Sequence, residues 1–213
     1  MKKVCVVSVH PDDETLGCGG TILKHLDKGD EVTCLLVTNG NQEQMKVWKQ
    51  VKELYNFTHT IELNLPELDL FDMSLNTLIP QISEIFNKIQ PQILYIPNRS
   101  DAHSDHKAIY QAVAACTKTF RYPFIEKILM CEVISETDFA LPLYENVFIA
   151  NYFVDITNEY IRKEEILKCY KSELLPYPMT RNVSSMRALN RYRGSQINVE
   201  YAEAFMAIKQ IER

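Results

Sequence analysis

The sequence predicts an α/β fold, a mostly parallel sheet flanked by helices. Two observations carry this. In the first half of the 213-residue chain, short β-branched apolar runs alternate with segments whose apolar residues recur at helical spacing. Strands separated by helices imply βαβ units and a parallel sheet. The runs are also apolar on both faces, as strands covered by helices on both sides are.

Taken in order, residues 4–9 (Val-Cys-Val-Val-Ser-Val) read as a central strand, ended by His10-Pro11. Residues 15–28 read as a helix that opens with Gly17, Gly19 and Gly20 and stops at Gly29-Asp30. Residues 32–38 form a second buried strand, closed by Asn39-Gly40. Val47, Val51, Leu54 and Tyr55 give a helical stripe, and residues 61–65 a short strand. Leu78, Ile82, Ile85, Phe86 and Ile89 give the next stripe, with Pro80 in its first turn. Residues 93–96 are a buried strand ended by Pro97, and a helix follows over 106–117. The second half is less regular. Strands are expected over 128–134 and 147–154, and a helix over 161–170. Residues 174–194, rich in Pro, Tyr, Arg and Ser, read as a loop, and 201–211 as a last helix.

Composition narrows the function. Hydrophobic residues make up 46% and charged residues 24%, with a formal net charge of −5. These are ordinary globular values, and residues 1–213 read as a single domain. No basic stretch interleaves with aromatics, so no nucleic-acid groove is expected. No run approaches the ~20 apolar residues of a membrane span, and residues 1–9 read as a strand rather than a signal peptide. The six cysteines are scattered without a C-x-x-C. That suits buried thiols in a reducing, cytoplasmic compartment better than a disulfide framework.

Two clusters carry chemistry. His10-Pro11-Asp12-Asp13-Glu14 follows the first strand, and Asp101-Ala102-His103-Ser104-Asp105-His106 follows the strand at 93–96. Ligands of open parallel sheets bind outside the carboxyl ends of strands, where such ends converge. Three of the five histidines therefore meet carboxylates at one edge. Histidine with carboxylate suits a divalent transition metal, zinc above all. Two histidines and one carboxylate leave a position for water, whose pKa zinc lowers towards ~7. One of Asp12 and Asp13, and one of His103 and His106, then remain for proton transfer and oxyanion stabilisation. His25 and His59 read as exposed or loosely packed. Gly17-Cys18-Gly19-Gly20 lacks the dinucleotide spacing and reads as close helix–sheet packing. No G-x-S-x-G supports a serine hydrolase.

The two clusters together resemble the LmbE-like, or PIG-L-like, family of zinc-dependent N-deacetylases, which act on N-acetylglucosamine groups in larger molecules. Thr38-Asn39-Gly40, Val154-Asp155-Ile156-Thr157, Lys163, Tyr170-Lys171-Ser172-Glu173, Arg193-Gly194 and Tyr201-Ala202-Glu203-Ala204-Phe205 extend the likeness over nearly the whole chain. The resemblance implies a Rossmann-like sandwich with His10, Asp13 and His106 as zinc ligands. It implies Asp12 as general base, and His103 as an imidazolium on the oxyanion, oriented by Asp105. Zinc is the implied cofactor, with Fe2+ compatible with the same ligands. The implied substrate is a small N-acetylated amino sugar. A homo-oligomer is expected, since small α/β enzymes with an apolar edge often associate. The rivals are a non-haem iron oxygenase, whose facial triad uses the same residue types, and a sugar-binding relative without catalysis.

Many members carry a substrate-contacting arginine soon after Thr-Asn-Gly. Here residues 41–49 contain none. Lys46 and Lys49 are the nearest cations, and a lysine lacks the guanidinium's bidentate fork. Arg99, Arg187 and Tyr192 complete the substrate-binding candidates. Residues 174–194, with Tyr177, Arg181, Arg187, Arg191 and Arg193, form the candidate substrate rim. An anionic substrate such as a nucleotide sugar would account for those arginines.

Overall fold

The chain's first strand, β1 (Lys3–Ser8), pairs in parallel with β2 (Glu31–Asn39) on one side and β4 (Ile93–Ile96) on the other. This is seen in a computed structural model that describes residues 1–212. β3 (His59–Pro66) adds to β2, and β5 (Lys127–Cys131) to β4, also in parallel. Two antiparallel strands, β7 (Ala202–Gln210) and β6 (Tyr152–Asp155), complete the order β3-β2-β1-β4-β5-β7-β6. Strand order therefore reverses between β1 and β4. The two motif clusters follow those two strands, so the topology alone puts them at the switch point.

The apolar runs divide their side chains as their two-faced pattern requires. Val4 and Val6 enter one core, and Cys5, Val7 and Val9 the other. The first core is closed by α1 (Asp13–Asp27), α2 (Gln42–Tyr55), α5 (Tyr160–Leu167) and α6 (Val183–Ser195), through Ile22, Trp48, Ile166 and Met186. The second is closed by α3 (Leu75–Ile89) and α4 (Ser104–Ala115), through Phe86 and Ile109. Among the described residues, no helix is long and apolar enough to cross a membrane. Among the described residues no cysteine is in a disulfide, and all but Cys169 are buried.

The glycine run serves close packing. A Cβ on Gly17 would lie 2.9 Å from Cys131 Cβ, and one on Gly20 would lie 2.8 Å from Ile156. Between them Cys18 leaves helical geometry, at φ −151°. The kink frees the Gly20 and Thr21 amides, which donate to the Glu203 carboxylate at 2.9 and 2.7 Å. Lys163 Nζ lies 2.7 Å from the same carboxylate, and both side chains are buried.

Four expectations need correction. The helix expected over 201–211 is instead the strand β7 (Ala202–Gln210). Their Ala, Glu and Met favour helices locally, but insertion between β5 and β6 prevails. Within 174–194, residues from 183 onward form α6. Asn182 caps it by accepting from the Ser185 amide, and it buries only Met186, Asn190 and Gly194, too little apolar surface for a visible stripe. The strands expected at 128–134 and 147–154 shorten to β5 and β6. His25 is not loosely packed: its ring joins Asp30 (2.7 Å) to the Tyr95 hydroxyl (3.0 Å).

Candidate metal centre

His10 and Pro11 turn the chain from β1 into α1, and Asp13 begins the helix. Beyond β4, His103 caps α4, with its Nδ1 accepting from the Asp105 amide at 3.1 Å. His106 sits one turn into that helix. His10, Asp13 and His106 thereby offer ligand atoms that all lie within 4.8 Å of one another. Asp13 Oδ2 lies 3.6 Å from His10 Nδ1 and 3.2 Å from His106 Nε2. A tetrahedral ion with bonds of about 2.0–2.1 Å requires ligand separations near 3.4 Å.

The other nitrogen of each ring is held by a carboxylate. His106 Nδ1 lies 2.8 Å from Asp101 Oδ2, and His10 Nε2 lies 3.2 Å from Asp105 Oδ2. Such partners fix the ring orientation of metal-binding histidines. His106 Nε2 meets Asp13 off the line of a hydrogen bond, so this buried nitrogen has no hydrogen-bond partner. Burial disfavours a charged Asp13, yet His106 and His10 outweigh it and hold the carboxyl well below its usual range. Burial likewise disfavours a charged His106, but Asp13 and Asp101 draw its pKa well upward. These acidic neighbours call for a cation between the rings. An orphaned nitrogen, two clamped imidazoles and a charged carboxylate at coordinating separations fit a zinc-like ion.

The remaining groups face a groove of about 90 Å³ lined by His10, Asp12, Asp13, His103, Arg181 and three glutamates, Glu67, Glu136 and Glu173. Burial, then the Asp13 charge, push the Asp12 carboxyl well above its usual range, while Arg181 pulls it back. Arg181 Nη1 donates to Asp12 Oδ2 at 3.2 Å, Nη2 to Glu136 Oε1 at 3.0 Å and Nε to Ser135 Oγ at 2.7 Å. Glu136 Oε2 accepts from the His103 amide at 3.0 Å.

Two details differ from the implied roles. The Asp105 carboxylate faces His10 and the Leu68 amide (2.8 Å), so it orients His10, while its backbone amide orients His103. Because His103 Nδ1 accepts that amide, the ring proton belongs on Nε2, and the ring is the neutral tautomer rather than an imidazolium. Burial, with His10 and His106 adjacent, lowers the His103 pKa in the same sense.

Lys46, Lys49, Arg99, Arg187 and Tyr192 do not line the groove. Arg187 is bound to Glu164 at 2.6 Å, Arg193 to Glu132 at 2.5 Å, and Arg191 lies 3.6 Å from Glu200. Of the rim arginines, only Arg181 reaches the groove. Glu67, Glu136 and Gln44 escaped the sequence reading. Glu67 and Glu136 follow the carboxyl ends of β3 and β5, the same placement that exposed the two histidine clusters.

Fold and centre together define an α/β protein with a candidate metal site at a switch point. The model of the PIG-L family, described as GlcNAc-PI de-N-acetylase, matches residues 5–117. The chain belongs to this deacetylase family. It is 25% identical to the diacetylchitobiose deacetylase of Thermococcus kodakarensis over 99% of this chain and 85% of that protein. The conserved protein TT1542 of Thermus thermophilus superposes with a TM-score of 0.79 at 21% identity, covering 100% of this chain and 97% of that one. GalB of Pseudomonas putida, a 4-carboxy-2-hydroxymuconate hydratase, superposes at 0.75 with 13% identity, covering 100% and 98%. Both structural likenesses show the fold alone, so the function must be argued from the site.

Proposed function

We propose that the chain is a zinc-dependent hydrolase that removes acetyl from an N-acetylated amino sugar, releasing acetate and a free amine. The observation that carries this is the clamped His10–Asp13–His106 set beside an unbonded-to-backbone carboxylate, Asp12, in one groove. His10, Asp13 and His106 would hold the ion, which supplies a Lewis acid for the acetyl carbonyl and for the attacking water. Asp12 takes the water's proton and delivers it to the leaving nitrogen; its raised pKa suits a group that must do both. His103 donates from Nε2 to the oxyanion. Arg181 holds Asp12 towards the groove, and Asp101 and Asp105 keep the two ligand rings in place.

The groove charge bears on the substrate. Asp12, Asp13, Glu67, Glu136 and Glu173 face one arginine, and that arginine is already shared between Asp12 and Glu136. A neutral saccharide conjugate suits this groove better than a nucleotide sugar. The test is free-amine release from a panel of N-acetylated sugars, neutral and nucleotide-linked, with and without chelator and added zinc. Release that chelator abolishes and zinc restores is the expected result. Tightly bound metal with silence across the panel would overturn the reading.

A further inference from the structure

One buried carboxylate beside the centre has no part in that reaction. Glu14 is 1% exposed. Its Oε2 accepts from the Asp12 amide and lies near the Ser8 hydroxyl, both at 3.2 Å. Its Oε1 accepts from the Thr15 hydroxyl at 2.6 Å and the Tyr170 hydroxyl at 2.8 Å. The Tyr55 hydroxyl lies 2.8 Å from Thr15 Oγ1 and extends the network to the end of α2. A carboxylate has about four acceptor positions, and each here has a polar partner. Ser8 lies on β1, Tyr55 at the end of α2 and Tyr170 beyond the end of α5, so the Glu14 oxygens are tied to parts of the chain outside its own helix.

What they fix is a strained peptide. Asp12 stands at φ 130°, ψ −28°, a region that costs a residue with a side chain about 1–3 kcal/mol. An aspartate before a helix ordinarily takes extended geometry and folds its carboxylate onto the first amides. Asp12 makes no such side-chain bond. Its carbonyl accepts from the Thr15 and Leu16 amides, both at 2.9 Å, while its carboxylate reaches Arg181 in the groove. The left-handed turn thus diverts the carboxylate from capping to the groove, and the Asp12 amide is held by Glu14.

We propose that Glu14 is the positioning residue for Asp12, acting as the acceptor that holds the Asp12 peptide in its left-handed conformation. This rests on the reading of Asp12 as the base. The role requires an acceptor, not a charge, and that separates two variants of similar size. In Glu14→Gln the amide nitrogen can face Thr15 and Tyr170, whose hydroxyls rotate to accept, and the oxygen stays on the Asp12 amide. In Glu14→Met no acceptor remains.

The experiment measures kcat, KM, bound zinc and thermal midpoint for both variants and for Asp12→Asn. Glu14→Gln is expected to keep kcat close to wild type. Glu14→Met is expected to lose roughly 10²-fold in kcat, the cost of a group about 1 Å out of place, with KM and zinc content unchanged. Wild-type kcat in Glu14→Met, equal losses in both variants, or a loss that tracks zinc content would each overturn the proposal. If Glu14→Met does not fold, Tyr170→Phe removes one donor from Glu14 and is expected to lower kcat severalfold at constant KM; wild-type kcat there overturns it. An active Asp12→Asn variant would instead sink the assignment of the base, whatever Glu14 does.

Discussion

In the proposed reaction the neighbours Asp12 and Asp13 have opposite tasks, and environment separates them. Asp13 is surrounded by imidazoles that stabilise its charge and lower its pKa, whereas burial and that neighbouring charge raise the pKa of Asp12 against the pull of Arg181. Asp12→Asn should therefore bind zinc as wild type does and lose roughly 10²–10⁴-fold in kcat, the usual worth of acid–base catalysis. Metal analysis beside single-turnover kinetics checks this. Asp101→Asn should show the reverse emphasis. Asp101 accepts from Thr137 Oγ1 at 2.7 Å as well as holding His106 Nδ1. Weakening it should lower zinc affinity by about 10–100-fold, read by competition with a metal chelator. The histidines and paired aspartates were legible because short motifs after strands leave little freedom. The partner of the Asp105 carboxylate was not legible. It depends on how the α4 cap turns the backbone at His103, and spacing alone does not encode that.

Helix α1 shows what an element adds beyond its motif. Its kink at Cys18 presents the Gly20 and Thr21 amides to Glu203, and Lys163 neutralises the carboxylate. This ties α1 to α5 and β7 behind the candidate metal-binding turn. Removing one charge of a buried pair leaves the other uncompensated, at about 3–5 kcal/mol. Glu203→Gln should lower unfolding stability by that order in urea titrations, while Arg162→Ala, which breaks the exposed Arg162–Asp27 pair (2.7 Å), should cost under about 1 kcal/mol. The likeness had marked Lys163 and Glu203 as significant without a reason, and the kink supplies one. The elements that escaped prediction escaped for the same physical cause. β7 carries helix-favouring residues whose fate is set by the strands beside it. α6 buries so little that its sequence resembles a loop.

At the scale of the whole molecule, the parallel strands were readable because burial on both faces leaves continuous apolar runs, and their order places the two histidine clusters side by side. Charge in the groove was less readable, since it is assembled from the ends of β1, β3 and β5 and from the segment before α6. The arginines of 174–194 suggested an anionic substrate. Three of them are engaged by Glu164, Glu132 and Glu200 outside the groove, and Arg181 is held by Asp12 and Glu136. Glu67 and Glu173 face the groove beside them. A diphosphate brought to this mouth meets like charge that one shared guanidinium and a divalent ion only partly offset. Focused fields of this kind act on the encounter rate and fall with ionic strength. The kcat/KM for a nucleotide-linked N-acetylated sugar should therefore lie below that for a neutral glycoside of the same sugar, and the gap should narrow as salt is raised. Glu67→Gln should narrow it at low salt. A nucleotide sugar preferred at low salt would show that Arg181 releases its carboxylates to bind phosphate, and would return the rim to an anionic substrate.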